Sequence, residues 1–330
     1  MKPTVERLLQ VLDIAASPVT LLTALWMKCI RRIGVQRMRA SRNIFSCIGV
    51  MPVREHYYEP MTNPAKHLLR SLREERTLSG LDMNEAGQLA ILAGFHYQNE
   101  LKDIATNAEK SGFRFDNGFF ESGDAEYLYN MIRCYKPRRI FEIGSGHSTR
   151  IARIAIAKNS TEMPDYRCRH VCIEPYEQPE LGSMGVEVIR RRVETLPSGF
   201  FRELAENDIL FIDSSHVIRP QGDVLYEFLE LLGNLAKGVI IHVHDIFTPR
   251  DYLDCTLIEE RRFWNEQYIL EAFLLFNHQF SVIGALNWLW HNHRNEIISK
   301  CPILAQQVWR EPGSFWIRRT GAMHRLASTS

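Results

Sequence analysis

The chain has 330 residues, of which 45% are hydrophobic and 24% charged, and its formal net charge is +1. This is globular usage, and it excludes a disordered chain and one whose overall charge would hold nucleic acid. Seven cysteines without a compact repeated spacing argue against a secreted disulfide framework and for reduced thiols in a cytoplasmic protein.

Residues 1–115 read as an N-terminal helical cap region. Val5 to Ala15 and Pro18 to Arg32 predict two apolar helices divided at Ser17-Pro18, a cap followed by a first-turn proline. Neither reaches the roughly 20 residues of a membrane-spanning helix. Between Ile14 and Arg54 stand seven basic residues and no acid. Leu22, Leu25, Trp26, Cys29 and Ile33 share one helical face. The pattern fits a peripheral contact of residues 14–54 with an anionic membrane at its inner face. It fits equally a helix packed on its own protein, or on a second subunit of a homo-oligomer. His56-Tyr57-Tyr58-Glu59-Pro60 is a polar, aromatic loop that could close over a substrate or lie buried between domains. Met83 to Glu109 reads as one longer helical stretch.

From residue 116 to residue 330 the texture changes to short apolar strands alternating with amphipathic helices. Strands are predicted at Arg139–Ile143, His170–Glu174, Val186–Arg190, Asp208–Asp213, Val239–His244, Phe280–Leu286 and Ser314–Arg319. Such alternation predicts an α/β, Rossmann-like doubly wound sheet covered on both faces.

Glu142-Ile143-Gly144-Ser145-Gly146-His147-Ser148-Thr149 lies where the first strand meets a helix. The two glycines allow a tight turn and close approach of a ligand. A dinucleotide fingerprint would place a third glycine at Thr149, and a phosphate loop would need Gly-Lys-Ser/Thr. Glu142 would repel a pyrophosphate and favour a cationic amino group. Glu174, ending the second strand, is placed to hold both ribose hydroxyls. Together they describe a site for an adenosyl group joined to a cationic amino-acid tail.

These residues resemble the cofactor loop of class I S-adenosylmethionine-dependent methyltransferases. Asp208-Ile-Leu-Phe-Ile-Asp-Ser-Ser-His216 and Gly238-Val-Ile-Ile-His-Val-His-Asp-Ile246 are similar to the fourth and fifth strands of a bacterial branch with Ile-Asp-x-x-His and His-Asp strand ends. The resemblance covers about Phe119 to Gly321. It implies a seven-stranded, mostly parallel sheet with an antiparallel last strand, and S-adenosyl-L-methionine as cofactor. Gly144, Ser145 and Gly146 would contact the methionine moiety, with Glu142 near its amino-acid end. Glu174 would hold the ribose, and Val193-Glu194 would form the adenine edge.

Ligands of such sheets collect at the carboxyl ends of the strands. Asp213 and His216 follow the fourth strand; His244 and Asp245 follow the fifth. Methyl transfer to oxygen needs positioning and a proton acceptor. Either His244 or His216, oriented by Asp213 or Asp245, has the chemistry of that base. His242, two residues earlier, reads as a core histidine. In the metal alternative Asp213 and Asp245 hold Mg²⁺, although the mixed Asp/His set departs from an all-oxygen site. The acceptor is expected to be a small molecule or glycan, with a hydroxyl on a sugar, glycan or secondary metabolite receiving the methyl group. An NAD(P)-dependent oxidoreductase, or a non-catalytic membrane-associated scaffold on the same fold, are the rival readings.

Overall fold

The computed structural model describes residues 3–60, 63–176 and 178–321. The chain divides into two compact units, Met1–Leu69 and Arg70–Ser330.

The first unit is helical. Its main element, α1 (Pro3–Ile33), is a single helix of 31 residues with Pro18 inside it. The two helices expected from Ser17-Pro18 are therefore one. A proline within a helix deprives the carbonyl four residues back of its N–H partner. Here the Ser17 hydroxyl donates to that carbonyl, Ile14 O, at 2.8 Å, and the helix continues. Thr4–Ile33, which contains an 18-residue part with a mean hydropathy of 1.7, is long and apolar enough to cross a membrane. That corrects the expectation, drawn from the two shorter halves, that the region is too short to span. After α1 come α2 (Arg39–Ile48), closed by Gly49 at φ +79°, and the short α3 (Pro64–His67). In the intervening loop Glu59 accepts two hydrogen bonds from Arg31, at 2.9 and 2.7 Å, and faces Arg54 at 3.5 Å. Its carboxylate is thus engaged within this unit.

The second unit begins well before residue 115. α4 (Glu85–Ala93), α5 (Gln98–Thr106) and α6 (Ala108–Ser111) replace the single helix expected over Met83–Glu109, with Gly94 closing α4. Leu92, Phe95, Leu101 and Ile104 from this region enter the same core as Ile140 and Ile209 of the sheet. The second compact unit therefore takes in residues from Arg70 onward that the sequence groups with the cap region.

Seven strands form one sheet: β1 (Arg139–Ile143), β2 (Arg169–Ile173), β3 (Glu187–Ile189), β4 (Ile209–Ile212), β5 (Ile240–Val243), β6 (Phe280–Ala285) and β7 (Phe315–Arg319). Their order is β3-β2-β1-β4-β5-β7-β6, with β7 antiparallel to both β5 and β6. This is the expected Rossmann-like arrangement. Along β1, Ile140 and Glu142 point to one face and Phe141 and Ile143 to the other, because strand side chains alternate. The first face is covered by α7 (Asp124–Tyr135) and α8 (His147–Glu162), together with α4 and α5. The second packs against α9 (Asp223–Tyr226) and α10 (Glu266–Leu274). Helices α11 (Leu286–Asn292) and α12 (Arg294–Lys300) extend the first core. The strand order reverses between β1 and β4, which opens a crevice at their carboxyl ends.

Candidate active site

The turn after β1 is built around Gly144, at φ +78°. A side chain there would place its Cβ 2.0 Å from the Asp213 carbonyl oxygen. Only glycine lets the β1 and β4 ends approach so closely. Gly146 serves differently: a Cβ at this position would meet nothing within 4 Å, leaving open space above the loop.

Beside this turn lies a cavity of about 290 Å³ lined by Gly144, Glu174, Tyr176, Val193, Glu194 and Asp213, among others. Glu174 is held in place by two donors. Its carboxylate accepts the Tyr176 N–H at 2.9 Å and the Gln178 side-chain amide at 3.3 Å. Gln178 also donates to the Ser145 carbonyl at 3.0 Å, joining the loops after β1 and β2. A second cavity of about 330 Å³ is lined by Ser145, Gly146, His147, Gln178, Phe119 and Asp213. Asp213 is common to both cavities. An elongated ligand with one end at Glu174 and Glu194 and the other over Ser145 and Gly146 suits that shape.

Glu142 does not line either cavity. It is completely buried. Its carboxylate accepts from the Ser148 hydroxyl at 2.6 Å and the Thr149 hydroxyl at 2.8 Å, and lies 2.9 Å from His170 Nε2. The alternation of β1 turns this side chain beneath the first turn of α8 and away from the strand ends. The expectation that Glu142 stands near a ligand's amino group is corrected: it braces β1, β2 and α8 from below. A signal was present in the sequence. In the parallel register Glu142 pairs with Cys172 and Ile140 with His170, so these polar groups share one face.

The histidines after β4 and β5 separate into different environments. His216, at φ +59°, has Nδ1 2.8 Å from Glu266 Oε2. Its Nε2 faces Asp213 at 3.4 Å and Asp245 at 3.6 Å. Burial works against charge on the ring, but hydrogen bonds to Asp213 and Glu266 and their negative fields outweigh it and hold its pKa well above the ordinary value. His216 thus has Nδ1 on Glu266 and Nε2 turned toward Asp213 and Asp245, an environment that favours its protonated form. Asp213 shows the reciprocal effect. Burial opposes its charge, yet the fields of His244 and His216 bring it down to about 2.

His244 has no such clamp. Its Nδ1 is buried without a hydrogen-bond partner, and its Nε2 is 3.8 Å from Asp245. Burial lowers its pKa, but Asp245, Asp213 and Asp124 together raise it above the usual value. The ring lines a third cavity of about 590 Å³ with Asp124, Asp245, Phe119, Trp309 and Arg310. His242 is a core residue: its Nε2 is 2.9 Å from the Ser314 hydroxyl, and its ring stacks 4.0 Å from Phe211.

The pair Asp213 and Asp245 does not fit a Mg²⁺ site. Both face His216 Nε2, and its imidazolium supplies the positive charge that a metal would bring. Mg²⁺ requires a near-octahedral set of free oxygen ligands, whereas here both carboxylates face an imidazole nitrogen.

Several lining residues escaped the sequence reading. Asp124, the first residue of α7, belongs to none of the sequence motifs. Its carboxylate accepts from Ser314 N at 2.7 Å and Gly313 N at 3.3 Å, which fixes α7 to the start of β7 and places the acid beside His244. Phe119 lies 5.7 Å from His147, ring over ring, and walls both the second and third cavities. These residues meet only through contacts far apart in sequence, so no local motif marks them.

Residues 141–246, from within β1 to just past β5, match a family model described as a methyltransferase domain. A protein of Archaeoglobus fulgidus, described as uncharacterized, is 30% identical over 167 residues, covering 47% of this chain and 74% of the relative. Among solved structures, an O-methyltransferase from Bacillus cereus in complex with SAH aligns over 70% of this chain and 91% of its own, at 12% identity and a TM-score of 0.33. Over residues 141–246 the chain therefore carries a segment that matches a methyltransferase domain.

Proposed function

We propose that the protein binds S-adenosyl-L-methionine along the first two cavities and methylates a hydroxyl oxygen of a small polyhydroxylated acceptor in the third. A sugar, a glycan or a hydroxylated secondary metabolite is the acceptor class we favour. The observation that carries this reading is the position of His244. It is the strand-end histidine without a carboxylate clamp, and it lines the largest cavity at these strand ends.

When bound, the cofactor supplies an electrophilic methyl carbon whose bond to sulfur breaks with both electrons going to sulfur. Glu174 binds the ribose hydroxyls, held for that task by Tyr176 N and Gln178. Val193 and Glu194 border the adenine end. The Gly144–Gly146 turn bounds the methionine end. His244 takes the proton that the acceptor hydroxyl loses. Asp245 and Asp124 stabilise the resulting imidazolium. His216 keeps Asp213 and Asp245 in place through charge and hydrogen bonding. Glu142 keeps the turn itself in shape.

The lining of the third cavity supports a neutral acceptor. Arg310 is paired with Glu121, and Arg73 faces Asp254 at 3.5 Å. Asp124 and Asp245 then leave an excess of acid, which opposes a phosphorylated or carboxylated substrate. Phe119 and Trp309, 79% and 69% exposed, offer aromatic faces to the C–H surface of a sugar ring. The decisive experiment incubates the purified protein with S-adenosylmethionine and pooled neutral glycans and glycosides. A mass gain of one methyl group on an acceptor oxygen supports the reading. Cofactor binding without methylation of any neutral hydroxyl compound, but with methylation of an amine or acid, overturns the acceptor class. EDTA is expected to leave the rate unchanged.

A further inference from the structure

We propose that α1 is a membrane-embedded anchor. Its apolar arc lies in the hydrocarbon core of an anionic bilayer, and the basic stretch after it rests on the cytoplasmic headgroups. This inference is independent of the methyl-transfer reading.

The helix is continuous over 31 residues, and at about 1.5 Å per residue it exceeds a hydrocarbon core of about 30 Å. The most apolar 18-residue part of Thr4–Ile33 is not buried in the protein, although Ile30 near its end is. A core helix of a water-soluble domain would have its apolar face covered. Ile14, Leu22 and Leu25 are instead 73%, 68% and 54% exposed. Most of the large apolar side chains exposed among the described residues lie in the first unit, although it is the smaller of the two.

Polar satisfaction within α1 also suits lipid. Hydrocarbon offers no partner to a free carbonyl, so polar groups must be met within the helix. The carbonyl that Pro18 leaves unpaired is met by Ser17 at 2.8 Å, and the Thr20 hydroxyl donates to Ala16 O at 3.2 Å. Water would have solvated both groups without such help. The polar side chains Gln10, Asp13, Ser17 and Thr20 fall on one narrow stripe at spacings of three and four.

Charge gives the side. Lys28, Arg31 and Arg32 lie in the last turns of α1, and Arg37, Arg39 and Arg42 follow it, with no acid between Ile14 and Glu55. A basic flank of this kind is retained on the cytoplasmic face and attracted to anionic lipid. In α2, Arg39 and Arg42 lie across the helix from the exposed Ile44 and Ile48, an amphipathic composition suited to the headgroup boundary.

The test uses the full chain with a C-terminal tag, produced in bacterial cells and fractionated. The protein is expected to stay in the membrane pellet through high salt and then alkaline carbonate, with its tag open to protease from the cytoplasmic side. The double variant Leu22→Asp, Leu25→Asp is expected to move to the soluble fraction with its unfolding temperature and S-adenosylmethionine affinity unchanged, because both side chains are exposed. Release by salt alone would reduce α1 to a surface contact and overturn the proposal. So would a soluble oligomer of the full chain, a chain recovered without α1, or a double variant that stays in the pellet.

Discussion

His216 Nδ1 stands 2.8 Å from Oε2 of the fully buried Glu266, and this contact gives the two strand-end histidines different expected behaviour. A ring held by Glu266 on one side and by Asp213 and Asp245 on the other has no free nitrogen for a substrate. His244→Ala is expected to lower turnover by about 100- to 10,000-fold, the usual range for a general base. Its cofactor affinity and unfolding temperature should stay close to wild type. His216→Gln is expected to unfold earlier instead, because removing one partner of a buried ion pair costs about 3–5 kcal/mol. Calorimetry beside single-turnover rates separates the two outcomes. A stable His216→Gln protein that binds cofactor and cannot turn over would return His216 to the base role.

The same environment sets a pH dependence. The pKa of His244 is raised above 6.5 by Asp245, Asp213 and Asp124 against the effect of burial. A base works in its deprotonated form. The rate constant kcat/KM should therefore rise with pH, with a midpoint above 6.5. Asp245→Asn removes a negative charge that favours the imidazolium, so its midpoint should move down. A midpoint that moves up, or a profile flat between pH 5 and pH 9, would exclude His244 as the titrating group.

Much of this arrangement was legible in the sequence. The seven strands come from short apolar runs at βα spacing, and the Gly144 turn from its two glycines. Two misreadings have physical causes. Ser17-Pro18 carries the residue types of a helix start, but the Ser17 hydroxyl satisfies the carbonyl that Pro18 strands, and the helix passes through. Glu142 sits two residues before the Gly144 turn. Strand alternation nevertheless aims it under α8, where Ser148, Thr149 and His170 take its oxygens. The convergence of Asp124, Phe119 and His244 depends on packing between distant elements, for which single-sequence periodicity carries no signal.

The two glutamates of the cofactor region are expected to behave in opposite ways. Glu174→Ala should weaken S-adenosylmethionine binding by about 1.5–3 kcal/mol, the range for hydrogen bonds to a charged group, with little change in unfolding temperature. Glu142→Ala should lower the unfolding temperature, because it leaves the Ser148 and Thr149 hydroxyls and His170 without their buried acceptor. Each such buried group left unpaired costs on the order of 1–3 kcal/mol. Titration calorimetry and thermal melts on both variants check this. Equal loss of affinity with unchanged stability in Glu142→Ala would place its carboxylate in the ligand site after all.

The two glycines of the turn make a sharper pair, because their surroundings differ while the substitution is the same. Gly144→Ala must adopt φ +78° with a side chain and place its Cβ 2.0 Å from the Asp213 carbonyl oxygen. Backbone atoms cannot yield as a flexible side chain can, so the ends of β1 and β4 must part. Asp213 moves with them, and with it the charge that faces His216. Lower stability and loss of cofactor binding are expected together. Gly146→Ala meets nothing within 4 Å of its new Cβ, so the fold should melt at the wild-type temperature. The methyl group then projects toward the space assigned to the methionine end of the cofactor, and affinity for S-adenosylmethionine should fall while stability does not. If Gly146→Ala binds the cofactor as tightly as wild type, the ligand does not approach the loop at this residue, and the assignment of the second cavity to the methionine moiety fails.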